Sequence, residues 1–169
     1  MSAVSSAPLH TLIKQIKRHD FIGRLAVFDP GETTGFAIFE RGEDHTTLAY
    51  ATQLPTWPIE KGVESLHRAF ECQPKHVVYE AYHIYKWRLA EHTYSEVPTI
   101  QLIGIIKYLC ILRDIPYTKQ TALTGKSFCT DQKLEYWGLY KPGLIHGRDA
   151  IRHGCQFLLF GDANHNFDS

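Results

Sequence analysis

The run RLAVFD at residues 24–29 ends on a carboxylate, Pro30 and Gly31 follow at once, and a second apolar run, FAIFE, resumes at Phe36 after a turn closed by Gly35. Two short apolar runs joined by a Gly-bounded turn read as neighbouring antiparallel strands, because Pro and Gly let a chain leave one strand sharply and enter the next. Asp29 is thereby left at the rim of a sheet, where the backbone turns away. Any fold for this chain must place that acid at the end of a buried strand.

Downstream, Thr46 to Thr52 reads as a third strand, so three strands joined by short turns predict an antiparallel meander. The pattern then alternates. Pro58 opens a helix to about Glu71, with Leu66, Ala69 and Phe70 on one face, and KHVVYE at residues 75–80 is a fourth strand, again ending on an acid, Glu80. Pro98 to about Arg113 is apolar and helical, Ile115 to Thr118 is a short strand, and a last helix from about Gly147 to Phe160 stops at Gly161. The stretch from Gln120 to Tyr140 is assigned no structure. This order predicts an α/β fold: a five-stranded mixed sheet, three strands antiparallel and then two parallel, flanked by helices on both faces.

A chain of 169 residues fits one compact domain, taken here as residues 24–160. Residues 1–23 form an extension whose first six residues are expected to be disordered, followed by a short amphipathic helix built on Leu9, Leu12, Ile13 and Ile16. Residues 161–169 are an acidic tail. No apolar run reaches the roughly 18 residues a membrane span needs, and no signal sequence is visible, so a cytoplasmic protein without membrane partners is expected. Cys72, Cys110, Cys129 and Cys155 lack CxxC spacing and read as buried reduced thiols.

The net charge is zero, but it is unevenly spread: residues 81–152 hold ten Lys or Arg against six Asp or Glu. A basic half suits contact with phosphates, and an ordinary solvated surface explains the same count. Within it, Tyr82, His83, Tyr85, Lys86, Trp87 and Arg88 interleave rings with cations, as base stacking beside phosphate contacts requires; a partly buried loop is the alternative.

If the first and fourth strands lie side by side and parallel, Asp29 and Glu80 meet at one end of the sheet, about 4.8 Å apart. Such a pair repels unless a cation sits between them. Asp149 lies at the start of the last helix, with His146 three residues before it and His153 four after, all on one face. Three carboxylates brought together suit Mg²⁺, or Mn²⁺ in its place, and two such ions can activate water and stabilise the leaving oxygen of a phosphodiester. Each residue also fits a structural role: Asp29 as a turn former, Glu80 as a solvated strand end, Asp149 as an acid at a helix N-terminus and His146 as a surface or capping residue.

LAVFDPGETTGFAIFE, VVYEAYHIYKWR and HGRDAIRHG resemble, in order and in spacing, the first, second and last acidic motifs of the RuvC-type Holliday junction resolvases. That resemblance, which spans roughly Arg24 to Phe160, implies a ribonuclease H-like fold. It implies two Mg²⁺ ions in a site made by Asp29, Glu80, Asp149 and His146, and a homodimer that makes paired nicks in a four-way DNA junction during recombination and repair. Where the family carries an aromatic probe beyond the second acid, this chain has His83 at the matching offset among Tyr82, Tyr85 and Trp87. LTGKSFCTDQK resembles the family's TGxG loop, with Ser127 in place of the second Gly. Lys126 is accordingly a candidate for phosphate contact or catalysis, and Lys119 for DNA contact. In the family the helix from Pro98 helps form the dimer interface.

The same three acids would serve a nuclease for flapped, branched or RNA-containing substrates. The Asp29, Gly31, Thr33, Thr34 turn is also like the phosphate loop of actin-like ATPases, but those need a second lobe and a second Gly-rich loop, and the chain shows no such loop after Glu80. A catalytically silent DNA-binding module would be expected to have lost an acid, and none is lost.

Overall fold

The computed structural model describes residues 3–18, 20–83 and 97–162. Its elements run β1 (Val4–Ser5), α1 (Ala7–Ile16), β2 (Gly23–Asp29), β3 (Thr33–Arg41), β4 (Thr46–Pro55), α2 (Ile59–Ala69), β5 (His76–Glu80), α3 (Pro98–Leu112), β6 (Tyr117–Gln120), α4 (Ala122–Phe128), α5 (Asp131–Tyr136) and α6 (Ile145–Phe160). One sheet is formed, in the order β1-β4-β3-β2-β5-β6. The meander β2, β3, β4 is antiparallel, whereas β5 pairs parallel to β2 and β6 parallel to β5. The α/β class and the three-then-two strand pattern hold.

The sheet has six strands rather than five. Val4 and Ser5 pair antiparallel with Leu48 and Thr47, so part of the segment expected to lack order forms an edge strand. Its anchor is α1, whose Leu9 and Ile13 are buried in the main core. Burying two aliphatic side chains contributes a few kcal/mol, about 1.5 to 3 each, against the cost of ordering the segment.

β2 is the central strand and is buried on both faces, which is why its sequence is an unbroken apolar run instead of an alternating one. Its side chains divide by parity. Leu25 and Val27 pack with Val78 of β5 against α1, α5 and α6, while Ala26 and Phe28 pack with Val77 and Tyr79 against α2 and α3. On that second face the rings of Phe28 and Phe36 stack at 4.9 Å and those of Phe28 and Phe70 at 5.6 Å. Parity then fixes where the acids go. Asp29 follows Leu25 and Val27, Glu80 follows Val78, and both belong to the face that α6 covers.

Between Gln120, the last residue of β6, and Tyr140 the chain forms two short helices, α4 and α5. Thr121 caps α4 by accepting from the Thr124 amide at 3.2 Å, and Thr130 caps α5 by accepting from the Lys133 amide at 3.4 Å. α6 starts at Ile145, two residues earlier than expected, so Asp149 stands in its second turn. The helix-dipole explanation for that acid loses its force, since the effect falls off beyond the first turn. All four cysteines are free, and Cys110, Cys129 and Cys155 are buried. Among the described residues no helix is long and apolar enough to cross a membrane.

Candidate active site at the carboxyl ends of the central strands

In the parallel pairing of β2 and β5, Phe28 lies opposite Tyr79, so Asp29 and Glu80 follow in the next positions of the two strands. The chain leaves β2 through a turn held from within. Thr34 and Thr56, both fully buried, have their hydroxyls 2.8 Å apart and both within reach of the Gly31 carbonyl, so that with one proton each, one donates to that carbonyl and the other donates either to it or to its neighbour's oxygen. This fixes the backbone just past Asp29.

Opposite the strand ends lies the first turn of α6. Gly35 pairs with Asp29 across β2 and β3, and a Cβ there would collide with the His146 carbonyl. The missing side chain lets the helix start settle against the sheet. Gln53 on β4 accepts the His146 amide at 3.0 Å, satisfying one of the helix's free N–H groups. As a result His146 Nδ1 stands 3.1 Å from Asp29 Oδ2.

The Asp29 side chain is almost wholly buried, and its carboxyl titrates at about 6 instead of 3.8. Burial is the main cause, the charge of Glu80 is next, and Asp149 adds to both, while His146 pulls the other way. Asp149 is differently placed: one oxygen pairs with Arg152, and the other lies 3.0 Å from the Lys126 ammonium. Burial of that ammonium favours its neutral form, but Asp149, Glu80 and Asp29 together outweigh it and raise its pKa. Glu80 Oε2 is 2.7 Å from Nε2 of the fully buried His153.

Three acids thus face two cations, Lys126 and Arg152, and Arg152 also serves Asp131. The lysine and the arginine pair with Asp149, and Asp29 and Glu80 have only histidines beside them. Among the described residues no three Asp, Glu, His or Cys side chains are already gathered around one point, and Asp149 pairs with Lys126 and Arg152. The donor set nevertheless fits a hard divalent cation: oxygens predominate, and burial first and Glu80 second hold the Asp29 carboxyl above its ordinary value, a penalty that a bound cation would offset.

No protein-family model matches the chain, and no curated protein matches it in sequence. Its fold does have solved counterparts. Thermus thermophilus RuvC in complex with a Holliday junction substrate superposes with a TM-score of 0.61 at 20% identity, covering 82% of this chain and 94% of that one. A second Thermus thermophilus RuvC structure gives 0.57 at 17% identity over 81% and 94% of the two chains. The yeast mitochondrial Holliday junction resolvase gives 0.52 at 10% identity over 90% and 84%. The chain has the RuvC-type resolvase fold.

That fold brings Asp29, Glu80, His146, Asp149 and Lys126 into one neighbourhood. Lys119 does not join them. On β6 it alternates with the buried Thr118 and Gln120, and Gln120 bonds to α6, so Lys119 is directed away from the acids. Tyr82 and His83 follow β5 as solvent-exposed residues. Tyr85, Lys86, Trp87 and Arg88 lie outside the described residues. Sequence reading did not assign Arg152, His153, Gln120 or Gln53 to the site. For His153 a signal existed, its helical spacing from His146 and Asp149; for Gln120 and Gln53 none did. A cleft of 620 Å³ lined by Ile13, Lys17, Ile22 and Arg41 among others shares no residue with this site. It lies by Gly23 and Arg41, at the opposite end of β2.

Proposed function

We propose that the chain is a divalent-metal-dependent endonuclease that cuts branched DNA, with the four-way junction as its preferred substrate, and that it works as a homodimer. The observation that carries the reading is the shared face of Asp29 and Glu80 at parallel strand ends, with Asp149 and Lys126 set against them. The RuvC fold supports the choice of substrate, since one of its solved members holds a Holliday junction.

Asp29, Glu80 and Asp149 would hold Mg²⁺ or Mn²⁺, with His146 beside them. Bound there, divalent ions supply the activation of water and the stabilisation of the leaving oxygen in phosphodiester hydrolysis. The remaining work belongs to the chain. His146 orients the Asp29 carboxylate through the Nδ1 contact, and with nearly half of its side chain exposed it is open to exchange protons with solvent. Lys126, also about half exposed, is held at Asp149 on the solvent side and is the cation a substrate phosphate would meet first. The turn after β2, held by Thr34 and Thr56, fixes the backbone beside Asp29.

The apolar face of α3 supports the homodimer. Ile100, Tyr108, Ile111 and Leu112 recur at helical spacing and are 46, 58, 68 and 62% exposed. Such a stripe is covered most simply by the same stripe of a second copy.

The test is a panel of four-way junction, flap, plain duplex and RNA-DNA hybrid at one stated salt concentration, with Mg²⁺ or with chelator. Paired nicks in the junction, dependent on Mg²⁺ and abolished in Asp29→Asn, are expected. Equal cutting of all four substrates would remove the junction claim, and full activity of Asp29→Asn would sink the site.

A further inference from the structure

α6 carries a second histidine that the proposed chemistry does not use. The His153 imidazole has no solvent exposure, yet both ring nitrogens are engaged: Nδ1 lies 2.8 Å from Gln120 Oε1, and Nε2 lies 2.7 Å from Glu80 Oε2. Gln120 Nε2 in turn donates to the His153 carbonyl at 3.2 Å, which fixes the orientation of the amide and leaves Oε1 to face the ring. Nδ1–H therefore donates to Gln120, and Nε2 shares a proton with the carboxylate of Glu80.

The ring is also held from above. A Cβ on Gly125 would strike the imidazole at Cε1 and Nδ1, so α4 lies directly on it, and the next residue of α4 is Lys126. One side chain thus touches β5 through Glu80, β6 through Gln120 and α4 through Gly125. An apolar residue would fill the space equally well, since the surroundings include the main core. What an apolar residue would not do is bond to Glu80.

We infer that His153 is a positioning residue: a buried strut from Gln120 that fixes the rotamer of Glu80 and, by seating Gly125, sets the height of Lys126 above the acids. The inference rests on the reading of Glu80 as a metal ligand. A ligand carboxylate is aimed by the groups that bond to it from behind, and loss of such a group typically weakens metal binding about 10- to 100-fold.

Two measurements on the full chain test it. In metal-free protein, the hydrogen-bonded proton between His153 Nε2 and Glu80 gives a resolved downfield NMR resonance, expected because the ring is closed to solvent; Glu80→Ala should remove it while the Nδ1 resonance persists. Calorimetric titration with Mn²⁺ then compares wild type with His153→Leu, which keeps bulk without the bond, and with His153→Gln, whose amide reaches toward Glu80. Binding is expected to weaken at least tenfold in the Leu variant and to recover to within about threefold in the Gln variant. Wild-type affinity in His153→Leu, or a Gln variant no better than Leu, would overturn the strut, as would a resonance indifferent to Glu80→Ala. If the wild type binds no Mn²⁺ at all, the metal-site reading fails, and the NMR comparison still decides the strut by itself.

Discussion

Asp29 should make the metal-free protein less stable than a variant that lacks the charge. Its carboxyl is raised from 3.8 to about 6, chiefly by burial and by Glu80. An acid raised on folding stabilises the fold below its unfolded pKa, and that contribution is lost as the pH climbs through the folded value. At about 1.4 kcal/mol per pH unit, the loss from the fully protonated state to pH 7.5 comes to about 3 kcal/mol, of which about 0.6 kcal/mol has already gone by pH 4. The side chain is almost wholly buried, so little of this is screened by solvent. Asp29→Asn keeps the shape and an oxygen for His146 but cannot ionise. In chelator at pH 7.5 it should therefore unfold about 6 to 12 °C higher than wild type, as about 3 kcal/mol implies for a chain of this length. At pH 4 the gap should shrink to about 0.6 kcal/mol, because the wild-type carboxyl is then protonated in the folded state. Groups that titrate alike in both proteins cancel from the comparison.

The assay is thermal or urea unfolding of the two proteins at both pH values, with and without Mg²⁺. Mg²⁺ should raise the wild type toward the variant and leave the variant unmoved. A variant equal to or less stable than wild type at pH 7.5, or a gain of the same size at pH 4, would refute the claim that burial, with Glu80 beside it, holds the Asp29 carboxyl above its ordinary value.

Gly35→Ala should drive β3 away from the start of α6, costing about 1 to 3 kcal/mol in urea unfolding. It should also slow cleavage about a hundredfold by moving His146 off Asp29, even though no reacting group is altered. Lys126→Met should weaken binding to every DNA substrate alike and lower the slope of log affinity against log salt by about one, read from titrations at several salt concentrations. Ile111→Lys, at the most exposed position of the apolar stripe near the end of α3, should shift light scattering from dimer to monomer while circular dichroism and the melting curve stay close to wild type.

Much of the site was legible because sheet parity leaves little freedom. An apolar run ending in Asp29 and another ending in Glu80, each closing a buried strand, meet on one face once the strands are parallel, and a helix with Asp149 must cover that face. The pieces that escaped notice were of two kinds. The caps Thr121 and Thr130, each bonding to an amide three residues on, were present in the sequence but sat in a stretch dominated by scattered charge and aromatic residues, with no clear apolar period. The pairing of Val4 and Ser5 is tertiary in origin: two residues have no strand signal of their own and are held by the packing of Leu9 and Ile13 behind them.

Gln53, Gln120 and Lys126 show why sequence reads chemistry more easily than geometry. A carboxylate at a strand end announces a possible ligand, but an amide that orients a helix or a histidine has no local mark. Gln53 acts 93 positions from His146, and Gln120 acts 33 positions from His153. Lys126 was suggested by its loop, and only the fold shows that its ammonium already neutralises Asp149. That pairing ties charge balance to substrate. If the chain cuts DNA as proposed, a phosphate that drew Lys126 away would leave three acids facing Arg152 alone, and the demand for a divalent cation would then be greatest with substrate in place. On the proposed function, selectivity among DNA shapes would have to come from residues beyond the rim, because the sheet that positions the acids fixes nothing past it.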